Sequence, residues 1–216
     1  ASALDVQART RFNEANDSHY YLVPGVIVTI MTMIGALLTS LVMAREYERG
    51  TLESLFVTPV GSGEILTAKA ATNFLLGMVS LAISMVFAAF VFDIPIRGSL
   101  LLLLAVSALF LIVALGLGLV ISTATKNQFL ACQFAIMGTF MPALMLSGFL
   151  YDILNMPPAV RAVTYLIPAR YYVTLLQTLF LAGDIPSVII PCCITLGVFA
   201  VVLMSIARLK APKSLE

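Results

Sequence analysis

The chain has 216 residues, 61% of them hydrophobic and 11% charged, and a mean hydropathy of +1.05. Soluble domains carry about a quarter of their residues as charges, so this composition excludes a water-soluble globule and makes lipid the solvent. A net charge of +1 supplies neither a nucleic-acid footprint nor an acidic tail, and an odd set of three cysteines gives no disulfide framework or zinc site.

The chain begins at Ala1 with about twenty polar residues that include Arg9, Arg11 and Glu14 and lack the apolar core of a signal peptide. A segment upstream of them is therefore expected. His19, the single histidine, stands beside Tyr20 and Tyr21 just ahead of the first apolar run. Rings in that position anchor a span at the interface, and a metal or catalytic role would need partners that the sequence does not supply.

In hydrocarbon every backbone N–H and C=O must be satisfied within its own segment, and a helix of about 20 uncharged residues crosses the bilayer core. Five runs meet that requirement: Leu22 to Ala44, Ala70 to Phe92, Ser99 to Ser122, Phe129 to Leu150 and Val188 to Ala207. Cys132, Cys192 and Cys193 fall inside them and read as small packing residues. Ser80, Ser84 and Ala88 in the second span, and Ala114, Gly118 and Ser122 in the third, recur every four residues and form small faces for close helix approach. Pro142, with Ser147-Gly148 beyond it, predicts a kink or break in the fourth span.

Between the fourth and fifth spans, Tyr151 to Asp184 includes a run, Leu166 to Ala182, apolar enough to suggest another crossing. Pro168, Arg170 and Gln177 argue against it, and the region reads as a re-entrant or interfacial helical pair on the outer face, over the mouth of a cavity. Pro157-Pro158 and Pro168 supply its breaks, and Tyr165, Tyr171 and Tyr172 suit the headgroup level. The fold class is thus all-α integral membrane: a polytopic helical bundle with five transmembrane helices plus an outer re-entrant helical pair.

Orientation follows from the basic residues, which stay cytoplasmic in short loops. With the first span entering from outside, the inside receives Arg45, Arg49, Lys69, Lys126, Arg208, Lys210 and Lys213, and the later outside loops keep Arg97, Arg161 and Arg170. That balance puts the C-terminus of a multi-pass protein on the cytoplasmic side of its membrane. Arg9 and Arg11 on the outer side weaken the balance without reversing it.

The connector between the first two spans is the charged part of the chain. From Arg45 it reads as a short amphipathic helix in which Glu46, Arg49 and Glu53 share one face and Leu52, Leu55 and Phe56 an adjoining one. Thr58-Pro59 ends it, Gly61-Ser62-Gly63 reverses the chain, and Glu64 opens the next helix. A membrane-surface helix is the simplest alternative, but such helices carry Lys/Arg-rich polar faces. Mixed charge with apolar anchors suits a protein groove better.

The string Ala44-Arg45-Glu46-Tyr47-Glu48-Arg49-Gly50-Thr51-Leu52-Glu53-Ser54-Leu55, followed by Thr58-Pro59-Val60, closely resembles the motif of ABC-2 type permeases, the membrane subunits of ABC exporters. Leu146-Ser147-Gly148-Phe149, Asn155-Met156-Pro157 and Tyr165-Leu166-Ile167-Pro168-Ala169-Arg170-Tyr171 look like that family's outer re-entrant region, and the bacterial drug-exporter branch is the nearest pattern. The resemblance covers nearly the whole chain. It implies six spans with a large extracytoplasmic domain after the first, so that this chain resembles spans two to six. Residues 1–20 would end that domain, 21–210 would form the transmembrane domain, 45–69 the cytoplasmic coupling helix and loop, and 151–187 the extracytoplasmic re-entrant region.

The resemblance further implies that Arg45, Glu46, Glu48, Arg49, Gly50, Thr51, Leu52, Glu53, Leu55 and Phe56 form a coupling helix docked into a separate cytoplasmic ATPase. Glu46, Glu48, Arg49 and Glu53 would make its polar contacts. A second permease subunit, identical or related, would complete the pathway, and ATP and magnesium would sit on the ATPase, leaving this chain without a cofactor. The first and fourth spans would line the route, with Met31, Met33, Phe140 and Met141 as substrate contacts for multidrug or lipid-like efflux.

Three rivals are weighed on the residues alone. An ion-coupled secondary transporter normally keeps ionisable groups inside its spans, and these five hold none. An intramembrane serine protease would need a base, yet no histidine lies within a span, and Ser147-Gly148 lacks the usual preceding glycine. No G-x-x-x-x-G-K-[ST] phosphate loop occurs, so this chain is not itself an ATPase of that type. A non-transporting membrane scaffold is separated from a permease only by the connector.

Overall fold

The computed structural model describes residues 19–50, 62–92, 94, 97–151 and 153–210. Among them are nine α-helices: α1 (His19–Thr32), α2 (Thr39–Arg49), α3 (Ser62–Phe90), α4 (Leu100–Thr125), α5 (Gln128–Ala135), α6 (Met141–Leu146), α7 (Pro158–Thr164), α8 (Pro168–Gln177) and α9 (Pro186–Lys210). Three π-helical segments, Met33–Leu38, Ile136–Phe140 and Thr178–Ala182, join or extend them, and no strand occurs among the described residues. Five helical stretches are long and apolar enough to cross a bilayer: Leu22–Arg49, Thr67–Phe90, Leu100–Thr125, Gln128–Leu146 and Pro186–Leu209. These are the five spans expected, each within a few residues of its sequence boundaries. The protein is a multi-pass, all-α membrane protein.

The third span, α4, is the hub, packed against α2, α3, α5, α8 and α9. Its small face meets the first span so closely that a Cβ on Gly35 would lie 2.4 Å from the Cβ of Ala114, and one on Gly118 would lie 2.6 Å from the carbonyl oxygen of Ala36. Lipid tails are as apolar as leucine, so helix association here draws on such close contacts and on interhelical hydrogen bonds. One such bond is buried: the Asn73 side-chain amide donates to the Thr39 hydroxyl across 3.0 Å, tying the second span to the first. The small face of the second span is more open. Ala88 is buried, while Ser80 and Ser84 line a groove of about 400 Å³ shared with Val23, Val26, Ile27 and Ile30.

Pro142 does not break the fourth span. Proline lacks an N–H and clashes with the carbonyl four residues back; here the backbone widens into the π segment Ile136–Phe140 just before it, and α6 continues the crossing. The helix stops at Leu146, with Ser147 next and Gly148 at φ +89°.

The helical pair after the fourth span is present as α7 and α8, and it reaches deeper than a headgroup position. The turn between them, Leu166 to Ala169, lines a cavity of about 90 Å³ together with Thr32, Phe110, Ala114, Leu117, Gly138 and Thr139. Thr32, Ala114 and Thr139 lie near the middle of the first, third and fourth spans, so the turn sits at mid-depth. Tyr171 agrees, since its ring lies 6.3 Å from that of Phe199, near the middle of the fifth span. From there α8 climbs until Leu179 accepts from the Gly98 amide and Asp184 from the Ser99 amide, at the end where the second and third spans are joined.

Two expectations are corrected by this depth. Tyr172 is fully buried, its ring stacked on Phe110 at 4.1 Å and its hydroxyl donating to Ser107 at 2.8 Å, so it packs the core instead of the headgroup layer. Tyr171 donates to the Tyr165 carbonyl at 3.0 Å within the same mid-depth turn. Arg161 and Arg170, counted as outside-loop charges in the sequence, belong to this re-entrant element instead. The reason is tertiary: Pro168 starts α8 pointing along the bundle, and its buried face of Pro168, Ala169, Tyr172, Val173, Leu175 and Leu176 is filled by the neighbouring spans.

Candidate functional site

The first span does not end where its apolar run ends. Ala44-Arg45-Glu46-Tyr47-Glu48-Arg49 favours helix throughout, Arg49 in the last turn suits the helix dipole, and Gly50 closes the helix in the left-handed region at φ 65°, ψ 11°. Arg45 to Arg49 are therefore a charged extension of the span, not the start of a separate amphipathic helix as the sequence suggests. The stop is glycine's: its missing Cβ makes positive φ cheap. Thr51, Leu52, Glu53, Leu55 and Phe56 lie outside the described residues, as do Thr58, Pro59 and Gly61. The helix of the second span, α3, already includes Ser62 and Gly63, so those two belong to its first turn instead of the expected chain reversal.

The extension is bound on two sides. Glu46 forms an ion pair with Lys69 at the start of the second span, both partly exposed, a class of pair worth about 0–1 kcal/mol. Glu48 reaches the turn between the third and fourth spans, where one carboxylate oxygen accepts from the Gln128 amide at 3.2 Å and the other from the Asn127 side chain at 3.5 Å. Arg45 Nε donates to Gln128 Oε1 at 3.3 Å. Asn127 in turn caps α5 by accepting from the amides of Phe129 and Leu130 at 3.0 and 3.1 Å. A helix N-terminus presents unpaired N–H groups and partial positive charge, so the Glu48 carboxylate meets both demands at once.

Of the described residues in the extension, Arg49 is exposed and makes no hydrogen bond or ion pair with another described residue. Asn127, Gln128 and Lys69 are the partners that sequence reasoning missed. The available signal was weak: polar residues at span ends whose spacing from Glu48 is 79 and 80 positions.

The first and fourth spans, fastened together at this end, meet again at mid-depth. Their π segments Met33–Leu38 and Ile136–Phe140 contact each other and flank the cavity under the re-entrant turn. Such π segments recur at functional positions because an extra residue per turn weakens and redirects the backbone ladder. Of the four residues expected along a route, Met33 and Met141 are open to the surface, at 41% and 46%, and Phe140 is half-buried. Met31 is completely buried in the core, so the structure does not bring it to any open face. The cavity is lined instead by Thr32, next to Met33, and by Gly138 and Thr139, just before Phe140.

The ABC-2 type transporter family matches residues 4–181. The chain is 47% identical to the probable multidrug ABC transporter permease YbhS of Escherichia coli K12 over 213 residues, 99% of this chain and 56% of that protein. It is 30% identical to the probable multidrug ABC transporter permease YbhR of the same organism over 180 residues, 82% of this chain and 48% of that one. The inner membrane transport permease YhhJ, also of Escherichia coli K12, is 28% identical over 213 residues, 98% of the chain and 57% of the relative. The chain thus spans about half the length of the curated relatives it matches.

Proposed function

The chain belongs to the ABC-2 type transporter family, and on that premise we propose that it is part of a permease subunit of an ABC exporter in the bacterial inner membrane. Two such subunits form the pathway, and a separate cytoplasmic ATPase, which holds the ATP and magnesium, drives efflux of a hydrophobic or amphiphilic compound. The relatives' names carry the multidrug and permease wording, and the composition of the spans agrees with an apolar cargo.

The observation that supports this reading best is the double attachment of the charged extension. A push on Arg49 and the residues that follow it is passed through Glu48 and Arg45 to the N-terminus of the fourth span, and through Glu46 to the second. A helix fixed at its end transmits displacement where a loose loop absorbs it. The first span, which carries the extension, and the fourth, which it holds, are those that flank the mid-depth cavity, with Met33, Phe140 and Met141 beside it as proposed substrate contacts. In this reading the connector and the C-terminus are cytoplasmic.

Co-purification with the cognate ATPase tests the proposal. The unmodified permease is expected to retain the ATPase, and Arg49→Glu or Glu53→Arg to lose most of it while the permease still inserts and purifies. Undiminished retention by both variants would remove the extension from the docking surface.

A further inference from the structure

The re-entrant pair carries two arginines in a place where charge is costly. Arg170 follows directly on the mid-depth turn, and Arg161 lies on α7, the helix leading into it. From Ile153 to Gly183 the sequence contains these two cations and no acidic residue. Among the described residues no carboxylate meets either guanidinium: Asp184 accepts from the Ser99 amide, and Glu46 and Glu48 are occupied at the opposite end of the bundle. An ionisable group at membrane depth is functional by default, and its counter-charge is the thing to identify.

The two arginines converge on one tyrosine. The Arg170 guanidinium stands over the Tyr165 ring, 3.9 Å from its centroid, and donates to the Thr164 hydroxyl. Arg161 lies four residues ahead of Tyr165, on the same side of α7. The Tyr165 ring and the Thr164 hydroxyl hold the Arg170 fork without neutralising it, and among the described residues no anion completes either guanidinium. Arg161 and Tyr165 are exposed, and beside them Val160, Val163 and Leu166 are 36%, 53% and 76% exposed. The patch therefore joins unneutralised cationic forks to an apolar surface turned away from this chain's own core.

We propose that Arg161, Tyr165 and Arg170 form a mid-depth binding site for the phosphate or carboxylate group of an anionic amphiphile, whose tail lies along Val160, Val163 and Leu166. Guanidinium forks match the planar oxygens of such groups in pairs, and out of water each charge-assisted bond is stronger than in it. The apolar flank excludes a purely hydrophilic anion as the best ligand. The inference rests on the exporter reading and deepens it by naming a cargo class.

The test uses the full chain in phosphatidylcholine nanodiscs and equilibrium binding of radiolabelled dodecyl phosphate. The double variant Arg161→Gln/Arg170→Gln is expected to bind about tenfold to a hundredfold more weakly, with dodecyltrimethylammonium binding not reduced. Arg161→Gln alone, at an exposed position, is expected to weaken the phosphate probe roughly tenfold and serves if the double variant does not assemble. Displacement on exchanging the lipid for phosphatidylglycerol would identify a lipid headgroup as the natural ligand and supports the site, whereas displacement by inorganic phosphate at the probe's own concentration would mean that the tail contributes nothing and overturns the amphiphile assignment. Undiminished binding of dodecyl phosphate by Arg161→Gln, or equal loss of the anionic and cationic probes in the double variant, overturns it. Binding is read without ATP or an ATPase, so this result and the co-purification result stand or fall separately.

Discussion

Glu48 and Arg49 are neighbours in sequence with opposite tasks. Glu48 is spent inside the chain, holding the N-terminus of the fourth span, whereas Arg49 is exposed at the helix end. In the proposed exporter this separates transmission from docking. Glu48→Gln removes the charge that complements the helix dipole, a loss of about 0.3–1 kcal/mol at the surface, while leaving an amide oxygen to accept. The expected outcome is an ATPase that co-purifies at the unmodified level but whose substrate-stimulated hydrolysis falls several-fold, measured on the reconstituted complex. If Glu48→Gln instead loses the ATPase as Arg49→Glu does, the division between the two residues is wrong. The sequence assigned both to the partner, because nothing local reveals that a carboxylate turns back to a loop about 80 residues further on. Tyr172 was misplaced for a related reason. A tyrosine beside an arginine looks interfacial until the fold supplies Phe110 to stack on and Ser107 to accept its hydrogen bond.

At the scale of elements, hydropathy and small-residue spacing were sufficient to find the five spans and the face by which the third span meets the first. That face yields a sharp expectation. Gly118→Val puts a side chain where a Cβ already falls 2.6 Å from a backbone oxygen of the first span, and overpacking of this kind costs about 1–3 kcal/mol. Gly197→Val is the control, since a Cβ there meets nothing within 4 Å, and it should stay within about 0.5 kcal/mol of the unmodified chain. Thermal unfolding in detergent compares the two; equal melting temperatures would mean the contact between the first and third spans contributes nothing. What spacing could not convey is how the backbone absorbs Pro142. Proline signals a fault in the helix, but a π segment and a break satisfy that signal equally, and the packing of the first span against Ile136–Phe140 decides between them.

For the molecule as a whole, the depth of the re-entrant turn changes the argument about orientation. A hydropathy window reads Arg161 and Arg170 as loop residues, since it has no knowledge of the cavity into which the turn is packed. Once both are assigned to the membrane-embedded element, the described end that holds Ser99 and Asp184 keeps Arg97 as its basic residue, while the end with the charged extension keeps Arg45, Arg49, Lys69, Lys126, Arg208 and Lys210. The asymmetry that orients short loops is therefore steeper in the fold than in the sequence. It predicts that, in a chain whose three native cysteines are replaced, Thr51→Cys reacts with a membrane-impermeant maleimide only in inverted vesicles. Ser187→Cys, exposed at the start of α9, should react only in intact spheroplasts. The reverse pattern would place the extension outside, beyond the reach of any cytoplasmic ATPase, and the exporter proposal would fail even if every packing contact described above were correct.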